Sequence, residues 1–102
     1  MPIQAQFDDF RDLVTHHVRE LEAEDPAFQS TPWYFLRYLK RVSTTAAEAS
    51  HAREVENSIR ALIRFYVDSV DEKSPLQLRF EQVLEYHNRA MRYQHPGHDD
   101  ED

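Results

Sequence analysis

The chain has no cysteine and only one glycine, Gly97. Without cysteine there is no disulfide framework, no thiolate metal site and no thiol nucleophile, and a reducing compartment suits the composition, so a cytoplasmic location is expected. Hairpin turns and phosphate-cradling loops draw on glycine for positive φ, and a nucleophile elbow needs small residues at a sharp turn; none of these is legible here. No stretch approaches the ~18 apolar residues of a membrane span, and Asp8 and Asp9 stand where a signal peptide carries its basic region. Membrane association is therefore not expected.

The 102 residues suffice for one domain. A body this small buries a modest share of its surface and is marginally stable unless something adds to it. Twelve basic residues face nineteen acidic ones, a net charge of −7. Four of those acids, Asp99, Asp100, Glu101 and Asp102, end the chain. An acidic chain repels a phosphate backbone, so nucleic acid is not an expected partner.

What the chain does have is helical periodicity. Ile3, Phe7, Phe10, Val14, His17, Val18 and Leu21 share one face at 3.6 spacing, predicting a helix over 3–24 that Pro26 terminates. Ser30-Thr31-Pro32 gives a hydroxyl cap and then a proline where no N–H is needed, predicting a helix over 32–42. Ser43-Thr44-Thr45 reads as an interruption, with Thr45 to Glu48 at capping-box spacing, and a third helix is predicted over 46–71. Because serine and threonine break helices weakly, the second and third can also be one bent rod. Ser74-Pro75-Leu76-Gln77 opens a fourth helix over 75–94, with Gln77 at the capping-box position. His95-Pro96-Gly97 ends it, and the acidic stretch 95–102 is too polar to fold. The expected fold is all-α, an antiparallel bundle of about four helices with a disordered acidic tail.

The apolar residues outnumber the positions such a bundle hides. On the second helix Phe35, Leu36, Tyr38, Leu39 and Val42 take one side, leaving Trp33 and Tyr34 with Arg37, Lys40 and Arg41. Trp33 and Arg37, four apart, are spaced for a cation–π contact worth ~0.5–1 kcal/mol. Phe65 and Val67 on the third helix, and Tyr86 and Tyr93 on the fourth, also fall off the core stripe. Trp, Tyr and Arg dominate protein interfaces, so Trp33, Tyr34, Arg37, Lys40 and Arg41 are the candidate partner-binding residues. Cover of Trp33 by another helix or by a second copy of the chain gives the same pattern.

Enzymatic and metal chemistry find less support. Glu48-Ala49-Ser50-His51 has the E-x-x-H spacing of bundle di-iron sites, but such sites need it twice, and Leu84 occupies the matching place before His87. At ~1.5 Å rise per residue, His17 and His87 fall at similar heights in an up-down bundle and His51 over a dozen Å away. No metal or cofactor is expected. Small helical ribonucleases of the HEPN class use an Arg-to-His pair, and Arg11 with His16 or His17, Arg89 with His95, and Arg92 with His98 have that spacing. Ten arginines and six histidines supply such matches by chance. Glu20, Glu22, Glu24 and Asp25 crowd the unfavourable end of the first helix, where Arg41, Arg79 or a basic partner would compensate them.

Asp25-Pro26, Trp33-Tyr34-Phe35-Leu36 with Leu39, then Asn57, Ile59-Arg60, Leu62 and Phe65, then a Leu-rich last helix, resemble the CowN proteins over residues 20–86. Those are small helical proteins associated with sustaining nitrogenase activity in the presence of carbon monoxide by acting on nitrogenase itself. The cysteines near both ends of that family are missing here. The resemblance implies a protein-binding protector and not an enzyme. From the residues, the expectation is a non-enzymatic regulator, inhibitor or protector that binds another protein, with a homodimer among the forms it takes; the alternatives are CowN-like protection of nitrogenase and a HEPN-like ribonuclease or toxin–antitoxin component.

Overall fold

A computed structural model describes residues 3–70 and 74–93. Among them the fold is all-α: α1 (Ile3–Glu24), α2 (Thr31–Glu48), a one-turn 3-10 segment (Ala52–Val55), α3 (Glu56–Ser69) and α4 (Leu76–Tyr93). α1 and α2, α2 and α3, and α1 and α4 run antiparallel. Arg11 near the start of α1 meets Ala46 near the end of α2, Thr45 of α2 meets Ser58 early in α3, and Arg79 at the start of α4 meets Glu20 and Glu24 at the end of α1. α1 packs between α2 and α4, and α3 packs on the other flank of α2.

The apolar faces predicted for α1 and α2 meet buried residues of α3 and α4 to form the core. Phe7, Phe10, Val14 and Leu21 of α1 meet Phe35, Leu36, Leu39 and Val42 of α2, Ile59 and Leu62 of α3, and Leu76, Phe80 and Val83 of α4, all buried. Burying large apolar side chains this completely, at about 1.5–3 kcal/mol each, is the main force holding four short helices together.

Two starts follow their local signals. Ser30 Oγ accepts from the Trp33 N–H at 3.3 Å with Pro32 in the first turn of α2, and Ser74 Oγ accepts from the Leu76 N–H at 3.1 Å before α4. Gln77 does not complete a capping box; its amide donates forward to Glu81 at 3.0 Å. With no glycine to spare in the body, Asp25 (φ 50°) and Gln29 (φ 66°) take the left-handed conformation in the α1–α2 connection.

The break after α2 lies elsewhere than predicted. Ser43, Thr44 and Thr45 are helical, and α2 runs to Glu48 instead of 42. Thr45 Oγ1 donates back to the Arg41 carbonyl at 2.9 Å and sits 3.0 Å from Ser58 Oγ, so the hydroxyl is satisfied inside the helix and stops nothing. The stop comes at Ala49, whose extended backbone (ψ 154°) turns the chain out. Arg11 supplies what the exposed carbonyls need: its guanidinium donates to Ala46 O at 2.9 Å and also to Ala49 O. α3 therefore begins at Glu56, ten residues later than its predicted start at 46, and ends at Ser69 with Val70 as its cap. Position 94 and the predicted tail 95–102 lie outside the described residues. No helix among the described residues is long and apolar enough to cross a membrane.

Candidate partner-binding face

Helical spacing on α2 determines which side chains share its outer side. Tyr34, Arg37, Tyr38 and Arg41 recur at three and four residues, so they form one row along the helix. α3 presents Phe65 against that row. Tyr38 stacks on Phe65 with centroids 4.9 Å apart and planes 20° from parallel, and Tyr34 approaches the same ring at 6.4 Å. From Tyr34 the rings continue to Trp33 at 4.9 Å and then to Phe28 at 4.9 Å, both edge to face. Five rings thus run from the α1–α2 connection across α2 onto α3.

Part of this row reaches solvent. Phe28 is 73% exposed and Tyr34 36%, while Trp33 is half-buried between them. The Arg37 guanidinium lies 5.1 Å from the Trp33 ring, as the spacing of four implied, and that of Arg41 lies 5.8 Å from the Tyr38 ring. Between α2 and α3 a groove of about 520 Å³ opens, lined among others by Tyr38, Phe65, Arg41, Arg60 and Arg64. A smaller hollow of about 190 Å³ between Tyr34, Arg37, Tyr38 and Arg41 adjoins it.

The arginines give this face its charge. Arg37, Arg41 and Arg64 form no ion pair with any described residue. Arg60 meets only Glu56 of its own helix, at 3.3 Å with both side chains exposed. Asp68 is the one acid lining the groove. Elsewhere cations are spent on internal partners: Arg79 donates to Glu20 at 2.7 Å and to Glu24 at 3.3 Å, and Lys40 meets Glu22 at 2.9 Å. Those contacts compensate the acidic end of α1, with Arg79 and not Arg41 in that role.

Of the five predicted partner residues, the structure keeps Trp33, Tyr34, Arg37 and Arg41 together and turns Lys40 toward α1. Tyr38, assigned from spacing to the core side, is only half-buried and stands at the centre of the face. Phe28, Arg60 and Arg64 join the face without being among the five expected from the sequence. Phe28 lies two residues before the Ser30 cap, close to the place from which a hydrophobic staple reaches into the first turn, and that is the signal by which it could have been found.

The histidines are engaged separately. His17 is buried; its Nε2 lies 3.0 Å from Gln82 Oε1 and its Nδ1 2.7 Å from an Arg79 nitrogen. A guanidinium only donates, so Nδ1 accepts and the ring proton sits on Nε2, facing Gln82. Burial, with Arg79 beside it, pushes the His17 pKa down. His87 is buried as well; its Nε2 donates to the Ala52 carbonyl at 3.0 Å, its ring meets Phe10 edge-on at 5.4 Å, and burial lowers its pKa. His87 thus lies level with Phe10 and the 3-10 turn, two turns of α1 away from His17, and not at the similar height inferred from the sequence. Glu48 and His51 fall on either side of the helix break, and His51 faces Glu54 at 3.6 Å. Among the described residues no three His, Asp or Glu side chains are grouped to hold a metal. Arg11 is occupied at the end of α2, His16 faces Glu20 at 3.1 Å and His17 faces α4, so the Arg11–histidine spacing brings no pair together. His95 and His98 lie outside the described residues. No family model, curated protein or solved structure matches this chain.

Proposed function

We propose that this protein is a non-enzymatic binding protein that regulates, inhibits or protects a larger protein through the ring-and-arginine face of α2 and α3. The observation that carries the reading is the grouping of Arg37, Arg41 and Arg64, without ion pairs among the described residues, beside Phe28, Trp33, Tyr34 and Tyr38. A chain with net charge −7 has carboxylates to spare, yet none of those described meets these three guanidinium groups. Trp, Tyr and Arg together are what a binding hot spot is made of, since each offers a large flat surface with a polar edge. The absence of cysteine agrees with action in the cytoplasm. Protection of a nitrogenase component, as the likeness to the CowN proteins implies, is one form this activity would take; pairing with a second copy is another.

In-cell crosslinking followed by mass spectrometry tests the reading. The unaltered chain is expected to enrich one protein that a variant carrying Trp33→Ala and Arg37→Glu does not. Recovery of the same proteins with both chains would sink the reading.

A further inference from the structure

We infer that the groove between α2 and α3 receives an amphipathic helix of the partner whose acidic residues flank an apolar stripe. The inference rests on the binding reading above and names the chemistry of the partner. The floor of the groove is the stacked pair Tyr38 and Phe65, with the small Ala61 beside it. Arg41 stands on the α2 side, one turn from Arg37, and Arg60 and Arg64 stand one turn apart on the α3 side. The α3 wall therefore presents two arginines and the α2 wall one, with Arg37 continuing the row into the adjoining hollow; side chains three or four apart on a helix start roughly 6 Å from one another.

That spacing is matched by a helix carrying Glu or Asp at i and i+4 on either flank of its apolar residues. The hollow between two packed helices is also the shape a third helix fills, side-chain ridges into grooves. Guanidinium groups take carboxylates two bonds at a time, which sets register as well as affinity. Direction follows from Asp68 and Ser69 at the far end of the groove. The acidic residues belong toward Arg60 and Arg41, and a neutral or basic residue belongs beside Asp68. Because the chain as a whole carries −7, an acidic helix is repelled elsewhere, so its binding depends on these arginines and weakens with salt.

The probe is a synthetic alanine-based helix of about 16 residues with one leucine per turn and glutamates on both flanks, long enough to be substantially helical. A second probe replaces every glutamate with lysine. Trp33 is the only tryptophan and packs against Tyr34 and Arg37, which line the adjoining hollow, so its emission is one readout of binding and titration calorimetry the other. The glutamate probe is expected to bind at least about tenfold more tightly than the lysine probe, and more weakly at about 0.5 M than at about 0.05 M salt. Arg41→Glu with Arg64→Glu, both at exposed positions, should cost about tenfold and move the preference toward lysine. If circular dichroism shows that double variant unfolded, Arg41→Gln with Arg64→Gln replaces it, and the preference for glutamate should then disappear. Equal binding of the two probes, or unchanged affinity in the folded variants, overturns the inference. So does light scattering that shows the groove filled by a second copy. A cellular partner lost with Trp33→Ala but kept with the double Arg41 and Arg64 variant would sink the groove and leave the binding function standing; a partner lost with neither would sink both.

Discussion

Tyr66 of α3 lies flat against Phe80 of α4, ring centroids 3.8 Å apart and planes 1° from parallel. α3 and α4 otherwise touch little, so this stack is the main tie between them. It comes at a cost: the Tyr66 hydroxyl is buried with no hydrogen-bond partner among the described residues, and burial, with Glu81 nearby, raises its pKa. An unpaired buried hydroxyl is destabilising by about 1–3 kcal/mol. Tyr66→Phe keeps the stack and removes the hydroxyl, so it should raise stability by about 1 kcal/mol. Tyr66→Ala should lower it by about 3 kcal/mol through loss of the ring. Urea unfolding checks both, as shifts of midpoint at unchanged slope.

Arg11 ends a helix to which it does not belong. It donates to Ala46 O and Ala49 O, and its guanidinium also covers the Phe7 ring at 4.4 Å. Arg11→Met keeps the aliphatic stem, takes the donor from Ala49 O and leaves Ala46 O with only the Ala49 N–H at 3.3 Å. The expected loss is about 2 kcal/mol, read by denaturant unfolding, with hydrogen exchange quickened in the last turn of α2. Exchange confined to the middle of α2 would contradict this assignment.

These two contacts mark the limit of what the sequence could tell. The stripe of α1, the Ser30 and Ser74 caps and the Trp33–Arg37 contact are local patterns, set by residues within a few positions of one another, and they are legible in the sequence. The end of α2 is set by an arginine 35 residues earlier in the chain, and no local signal encodes that. Ser43-Thr44-Thr45 misled because the same hydroxyl that breaks a helix can bond back into it. The candidate face is legible in part on α2, where spacing groups Trp33, Tyr34, Arg37 and Arg41, but the same spacing puts Tyr38 with the core and Lys40 with the face, because it does not say where α1 and α3 lie. Its other half, Phe65 with Arg60 and Arg64, depends on how α3 lies against α2. Phe65 was visible only as a residue off its own stripe.

Lys40 makes a sharp test of how charge is divided on α2. It meets Glu22 at 2.9 Å with both side chains about half exposed, and such a pair is worth at most about 0.5–1 kcal/mol. Lys40→Ala is expected to change stability by no more than that and to leave partner binding unaltered. Arg37→Ala, one turn earlier and free of ion pairs among the described residues, should weaken binding by about five- to tenfold at unchanged stability. Paired measurements of thermal midpoint and partner affinity check this. Equal loss of affinity in the two variants would return Lys40 to the binding face.

Acid should loosen this fold in two steps, and the order follows from the direction of the shifts. His17 and His87 are held below their ordinary value of 6.5, chiefly by burial. For His17 the hydrogen bond to Gln82 opposes the shift and Arg79 adds to it; for His87 the Ala52 carbonyl and Glu56 oppose it. A group whose pKa is lower folded than unfolded binds its proton preferentially in the unfolded chain. Its contribution is therefore complete above pH 6.5 and declines as the pH falls from there toward the depressed folded values. Glu20, held below its ordinary 4.5 mainly by its hydrogen bond to Arg79, adds a second decline below pH 4.5. Urea midpoints measured across the range should fall below pH 6.5 and again below pH 4.5. His17→Gln with His87→Gln, less stable at neutral pH, should flatten the first decline and leave the second, because glutamine has no proton to gain. A first decline that persists unchanged in that variant would mean that the two buried imidazoles are not its source.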